Sequence, residues 1–252
     1  MPRNHECRRA ARKCAARRAS WLADGLPDTY TAQMAIDRII PANVTPEAAA
    51  LLERAYTIDS DATSRALYRD WAQTYDTTMI DGLRYRSPAL VAQLLGEHLA
   101  DRDAAVLDIG CGTGLAGQVL AGQGFTTIDG LDISPEMMQV AQERGGYRHF
   151  LAADLNHPLD MPDAQYGGAT CCGTFTHGHV GAGCLDELFR ILRPGAPFAF
   201  TVKREVWEPM GFKATLARLV ADGTIIEVAR HLDRHYETAE QPDGVFCVYR
   251  RC

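Results

Sequence analysis

The chain has 252 residues, 46% hydrophobic and 23% charged, with a formal net charge of −6. That composition is ordinary for a globular protein and fits one large α/β domain plus an extension, or at most two domains. No apolar run approaches the roughly 20 residues that a membrane-spanning helix needs. Residues 1–20 hold seven Arg and Lys against Glu6, a balance of +6 that leaves −12 for the remainder. An acidic body argues against nucleic acid as the main partner, because phosphate neutralisation needs clustered Lys and Arg. The eight cysteines include no C-x-x-C pair. They read as reduced thiols of a cytoplasmic protein, with Cys171 and Cys172 as buried strand residues.

In chain order, residues 1–20 read as a mobile basic tail, or as a transit-like leader. Residues 21–60 are broken by Pro27, Pro41 and Pro46. Thr45-Pro46-Glu47 starts a short helix, Glu47–Tyr56. Residues 64–79 carry Leu67, Tyr68, Trp71, Ala72 and Tyr75 at helical spacing. Together 21–86 form a helical appendage and lid, and 87–252 the main domain. A helix over 87–99 opens at Ser87-Pro88. Strands are expected near 104–109, 126–131, 148–152, 168–174 and 196–202, and helices near 115–123, 135–144, 182–192 and 211–222. Alternation of this kind makes a parallel sheet with helices on both faces. Thr224–Leu232 and Gly244–Arg250, joined by a polar turn, read as a terminal antiparallel hairpin. This makes seven strands.

The run Val106–Gly117 carries the strongest chemical signal. An apolar strand feeds a glycine-dense turn and then a helix, the arrangement of a nucleotide-type site at the end of a first parallel strand. Gly112-x-Gly114-x-x-Gly117, with Asp132 twenty residues beyond Gly112, matches the dinucleotide fingerprint literally. The register does not fit it. The strand ends near Asp108-Ile109, so the turn starts at Gly110 and the glycines fall at 110, 112 and 114. An acid just before that loop repels a pyrophosphate but receives an ammonium group, and S-adenosylmethionine has an ammonium and no phosphate.

Asp108-Ile109-Gly110-Cys111-Gly112-Thr113-Gly114 resembles motif I of class I S-adenosylmethionine-dependent methyltransferases. Gly130–Met138 resembles the second-strand motif, Ala153-Asp154-Leu155 the adenine motif, and Glu187–Gly195 the helix and turn before the fifth strand. Tyr75-Asp76, Gly124-Phe125 and Gly173–Val180 resemble the Williams–Beuren syndrome chromosomal region methyltransferase-like group. The superfamily resemblance covers about residues 66–205. Ala196 departs from it where a second glycine is usual. The resemblance implies a Rossmann-like, seven-stranded, mostly parallel sheet and S-adenosyl-L-methionine as cofactor.

Under this reading Gly110, Cys111, Gly112 and Gly114 form the cofactor bed. Asp108 orients that loop or meets the ammonium through water. Asp132 and Ile133 meet the ribose; an acid there suits an NAD ribose equally well. Ala153, Asp154 and Leu155 meet the adenine. Met137 is helix core or an adenine contact. Tyr75 covers the cofactor or packs in the aromatic stripe, and Gly173 ends the fourth strand beside it. His177 and His179 follow that strand: one is a candidate general base, against a capping or loop-packing role. As a metal pair they lack a third ligand, so no metal is expected. Thr174, Phe175, Tyr85, Arg86, Lys203 and Arg204 are candidate substrate contacts. The expected activity is methyl transfer to a small-molecule acceptor. The rivals are an NAD-dependent oxidoreductase and a non-catalytic cofactor-binding protein.

Overall fold

The computed structural model describes residues 50, 54, 67–72, 74–177 and 180–252. The basic tail, most of the 21–66 appendage and His179 lie outside the described residues. The expected helix over 47–56 is described only at Ala50 and Arg54, both helical.

Seven strands form one sheet: β1 (Val106–Ile109), β2 (Ile128–Asp132), β3 (His149–Ala152), β4 (Gly168–Phe175), β5 (Pro197–Lys203), β6 (Ile225–Asp233) and β7 (Gly244–Arg251). Their order is β3-β2-β1-β4-β5-β7-β6. The strands β3 to β5 pair in parallel, and β7 lies antiparallel between β5 and β6. The expected hairpin is therefore present, and its second strand enters the sheet against β5. The helices are α1 (Ser87–His98), α2 (Leu115–Gly122), α3 (Pro135–Arg144), α4 (Leu185–Arg190) and α5 (Phe212–Ala221). Each falls within or beside the stretch that periodicity indicates.

Strand alternation explains the two cores. On β1, Val106 faces Val91 and Leu95 of α1 and Leu120 of α2, while Leu107 and Ile109 face the α4 and α5 side. There Phe189, Phe198, Phe200 and Tyr249 lie ring to ring, with centroids 4.7 to 5.9 Å apart. All four are buried; deleting the Phe200 ring would cost about 3–5 kcal/mol. Ser134 caps α3, its hydroxyl accepting from Met137 N at 3.3 Å, with Pro135 at the first helical position.

The lid departs from the single helix expected over 64–79. Residues 67–71 are helical, Ala72 and Thr74 are in turns, and Thr77–Gly82 is a π-helical turn. Thr78 Oγ1 donates to Thr74 O at 3.0 Å, a local side-chain bond that competes with regular helix. Leu67, Trp71, Met79 and Leu83 then bury themselves against Tyr236. Tyr85 bridges Tyr236 in antiparallel fashion, and Arg86 N donates to His235 O. The base of the lid is thus a short extension of the β6–β7 turn.

Candidate active site

A cleft opens beyond the carboxyl ends of β1, β2, β3 and β4, where an open parallel sheet binds ligands. Its floor is the loop after β1. Gly110 has φ +64, and a Cβ there would sit 2.0 Å from Thr174 Oγ1, so only glycine lets β4 approach so closely. Gly112 has φ +52 and nothing within 4 Å of where its Cβ would be. That leaves bare backbone facing open space. Gly114 caps α2 but does not line the cleft. Cys111 N donates to Leu131 O at 3.0 Å, which ties the loop to β2, and its thiol is buried.

Asp132 ends β2 at the rim. Its Oδ1 accepts from Ser134 N at 2.9 Å and its Oδ2 from Gly112 N at 2.8 Å. Burial raises its pKa, and those amides oppose the shift. An ionised carboxylate has about four acceptor sites, so two hydroxyl donors can still be received. Ile133, Met137, Ala153, Asp154 and Leu155 continue the wall. Asp154 Oδ1 accepts from Asn156 N at 2.9 Å. Tyr75 and Tyr68 form the roof, Tyr75 packing edge-on against Trp71 at 4.9 Å.

A second lobe shares Tyr75, Gly110, Gly112 and Cys172 with the first and adds Tyr85, Pro88 and Asp108. Tyr85 Oη and Cys172 Sγ are hydrogen-bonded at 3.2 Å. Burial pushes the Cys172 thiol up to about 12. Asp108 is 1% exposed. It accepts from Tyr147 Oη at 2.6 Å and Thr170 Oγ1 at 2.8 Å, and burial pushes its carboxyl up to about 6. Among the described residues lining either lobe, none is Lys or Arg. A lining of carboxylate acceptors, backbone and phenols suits an ammonium and a ribose diol, and it offers a pyrophosphate no cation. An uncharged bed at Gly112 leaves room for the cofactor's amino-acid end.

A methyltransferase-domain family model matches residues 107–200. Methyltransferase-like protein 27 of Homo sapiens is 30% identical over 184 residues, 71% of this chain and 74% of that protein. The chain belongs to the class I S-adenosylmethionine-dependent methyltransferases. Its cofactor is S-adenosylmethionine. The malonyl-[acyl-carrier protein] O-methyltransferase of Pseudescherichia vulneris is 29% identical over 164 residues, and the match spans 62% of each chain. The Burkholderia thailandensis 1,6-didemethyltoxoflavin-N1-methyltransferase, solved with 1,6-didemethyltoxoflavin and S-adenosylhomocysteine, shares the fold. Its TM-score is 0.55 at 22% identity, covering 84% of this chain and 92% of that one.

On the acceptor side of this methyltransferase, Gly173 and Thr174 line the cleft. Phe175 does not: it is fully buried against Phe200 and Phe212, with centroids 5.8 and 5.0 Å away. The strand β4 runs on to Phe175, which falls on the same face as Ala169 and Cys171 and so points into the core; this corrects its expected contact with substrate. Lys203 is likewise 4% exposed, because β5 runs on to it and its Nζ meets Asp243 at 2.7 Å. Arg204 N donates to Asp243 O, and Arg86 pairs with Asp233 at 3.4 Å; neither lines the two lobes. His177 Nε2 lies 2.8 Å from Glu205 Oε2, both side chains about half exposed. Among the described residues no group of His, Cys, Asp and Glu is arranged to hold a metal ion. No described helix is long and apolar enough to cross a membrane.

The sequence reading missed Tyr68, Leu131, Asn156, Cys172 and Val180 as lining residues. Tyr68 stood on the aromatic stripe and Asn156 two residues past a singled-out acid, so both had a signal. Cys172 had none, because strand alternation sends it to the face opposite buried Cys171, and the sequence does not tell which of the two adjacent cysteines faces the cleft.

Proposed function

We propose that this methyltransferase methylates a small-molecule nucleophile enclosed between β4 and the lid, and that His177 takes the acceptor's proton. The observation that carries this is the roofed cleft, with Tyr68 and Tyr75 above Gly112 and Thr174. An enclosed, aromatic-lined cleft suits a compact acceptor better than a nucleic acid. The small molecule bound to the toxoflavin enzyme supports the same class.

The bound cofactor supplies a methyl group already activated on a sulfonium. The remaining work falls to this chain's residues. Asp132 receives the ribose hydroxyls through its outward acceptor sites, while its other sites hold Gly112 N and Ser134 N. Asp154 and Leu155 read the adenine, the first by accepting its amino protons and the second by packing on the ring. Ile133, Met137 and Ala153 close the wall beside it. Gly110 and Gly112 give the amino-acid end a backbone bed, and Gly114 with Cys111 holds that loop in place. Asp108 orients the loop from below. Tyr75 and Tyr85 exclude water and help to fix the in-line approach, which is mainly a matter of positioning. Glu205 beside His177 favours one imidazole tautomer and supports the imidazolium that forms when a proton arrives. The chemistry is placed in the cytoplasm, where thiols such as Cys111 and Cys172 stay reduced.

Calorimetry with S-adenosylmethionine, S-adenosylhomocysteine and NAD tests the cofactor site. Methyl transfer from labelled cofactor to a panel of small hydroxyl, carboxyl, amine and thiol compounds tests the acceptor class. His177→Ala and His179→Ala should leave cofactor affinity nearly intact, and His177→Ala should reduce turnover by about 100-fold or more. Label that enters only protein or nucleic acid would overturn the small-molecule reading. Full turnover in both histidine variants would remove the base.

A further inference from the structure

Among the described residues, a carboxylate of the lid, Asp76, is hydrogen-bonded to the cofactor loop. Asp76 follows Tyr75, the roof of the cleft, and immediately precedes the π-helical turn Thr77–Gly82. Its Oδ1 accepts from Thr113 Oγ1 at 2.6 Å. Its Oδ2 is paired with Arg144. Arg144 is the last residue of α3, and its guanidinium reaches well beyond that helix. Nε donates to Thr113 O at 2.8 Å and Nη1 to Gln118 Oε1 of α2 at 3.0 Å. One planar fork therefore joins the lid, the glycine loop, α2 and α3. The side chains of Arg144 and Asp76 are 17% and 27% exposed, so the pair is partly shielded from water. An arginine that only offset its own helix terminus would need none of these partners.

We propose that Arg144 is a positioning residue for the cofactor: through Asp76 it latches the lid over the glycine loop, and opening of that latch limits cofactor release. The geometry links the two events. Tyr75 lines both lobes of the cleft, and its neighbour in the chain is the carboxylate that Arg144 and Thr113 hold. A ligand cannot leave past Tyr75 while Asp76 is fixed to the loop. The other end of the lid is held independently by the Tyr85–Tyr236 bridge and by the cluster of Leu67, Trp71, Met79 and Leu83 with Tyr236. Breaking the latch therefore loosens the roof without removing the lid from the fold.

The inference rests on the cofactor assignment, and its test separates the two. Binding and release of S-adenosylhomocysteine by the full chain are followed by stopped flow for the parent, Arg144→Gln, Asp76→Asn, the double variant and Arg144→Lys. Each single variant should raise the dissociation rate about tenfold, the scale of one hydrogen bond to a charged group. The association rate should change by less than about threefold, since interface changes act mainly on dissociation. The double variant should release no faster than Arg144→Gln alone, because the amide of Asp76→Asn can still accept from Thr113 and that change removes only the pair that Arg144→Gln already breaks. Arg144→Lys should fall between, keeping charge but not the three-pronged geometry. Raising salt from about 0.05 to about 1 M should speed release from the parent and not from Arg144→Gln. That comparison in the parent needs no substitution, so it stands even where a variant folds poorly. Unchanged dissociation in both single variants, additive effects in the double variant, or a salt-independent parent rate would overturn the latch. A parent chain that binds no S-adenosylhomocysteine would overturn the cofactor assignment beneath it.

Discussion

Tyr147 donates a 2.6 Å hydrogen bond to Asp108 Oδ2 beneath the glycine loop. With Thr170 on Oδ1 at 2.8 Å, both oxygens of this buried acid have neutral donors. Sequence alone put Asp108 in one of two roles, orienting the loop or meeting the cofactor's ammonium through water. The hydrogen bonds favour orientation, because the carboxylate is occupied from below by β4 and the segment before β3.

Those neutral donors do not offset burial, which pushes the Asp108 carboxyl from 3.8 up to about 6. The native state therefore holds its proton more tightly than the unfolded chain. Stability is fully present below about pH 4 and falls as pH rises through 6, by roughly 3 kcal/mol from this group. Asp108→Asn should flatten the decline between pH 4 and 6. Asp132, also raised by burial, should leave a residual slope of the same sign. Urea unfolding at a series of pH values measures this. Equal slopes in parent and variant would show that Asp108 does not carry the effect.

Gly112 and Gly117 look alike in sequence, both inside the literal dinucleotide fingerprint, but they do different work. A Cβ on Gly112 meets nothing and projects into the cleft, with strain from φ +52 of about 1–2 kcal/mol. A Cβ on Gly117 would lie 2.2 Å from the Tyr147 ring and hydroxyl. Gly112→Ala should weaken S-adenosylhomocysteine binding at least tenfold with a small fall in melting temperature. Gly117→Ala should destabilise the fold and perturb the Asp108–Tyr147 bond, with affinity lost only in proportion. Calorimetry and thermal melts on both variants decide it, and the reverse pattern would mean that the floor of the site has been misplaced.

The contrast shows what the sequence made legible. Helix and strand periodicities are local, so the α/β order, the capping of α3 by Ser134 and the terminal hairpin were readable before any fold was known. The acid at Asp132 was readable because strand, turn and helix lie within a dozen residues. Contacts between distant segments were not. Nothing in the chain announces that Asp76 meets Arg144, 68 positions away, or that Lys203 turns from the site to Asp243. Phe175 misled because β4 runs past the strand end near 174 that the sequence suggests; once the strand reaches Phe175, alternation with Ala169 and Cys171 puts its ring in the core.

Asp132 supports the floor and the rim together, so its amide should fail at both. Asp132→Asn keeps one oxygen but sets an N–H donor against either Gly112 N or Ser134 N, leaving one backbone donor unpaired. A lost hydrogen bond to a charged group is worth about 1.5–3 kcal/mol. S-adenosylhomocysteine affinity should fall between about tenfold and about 150-fold. Calorimetry on the folded variant gives the answer, and an affinity within twofold of the parent would remove Asp132 from cofactor binding.

Glu205 and His177 lie just past the ends of the neighbouring strands β5 and β4, which is why residues 28 apart in sequence meet. The His177 contact, first, and the Lys203 charge hold the Glu205 carboxyl below its usual value, against burial. Any stability from this ionisation is present above about pH 4.5 and lost as pH falls through the lowered value. Half-exposed partners make that contribution small. The catalytic consequence should be larger. Glu205→Gln should leave S-adenosylhomocysteine affinity within twofold and slow methyl transfer to the best acceptor of the panel by about tenfold or more, the scale of losing a group that orients a base. Adding Glu205→Gln to His177→Ala should slow the reaction no further, because the carboxylate acts only through the imidazole. Additive losses would assign Glu205 a role of its own, and an unaltered rate in Glu205→Gln would reduce the pair to a surface contact.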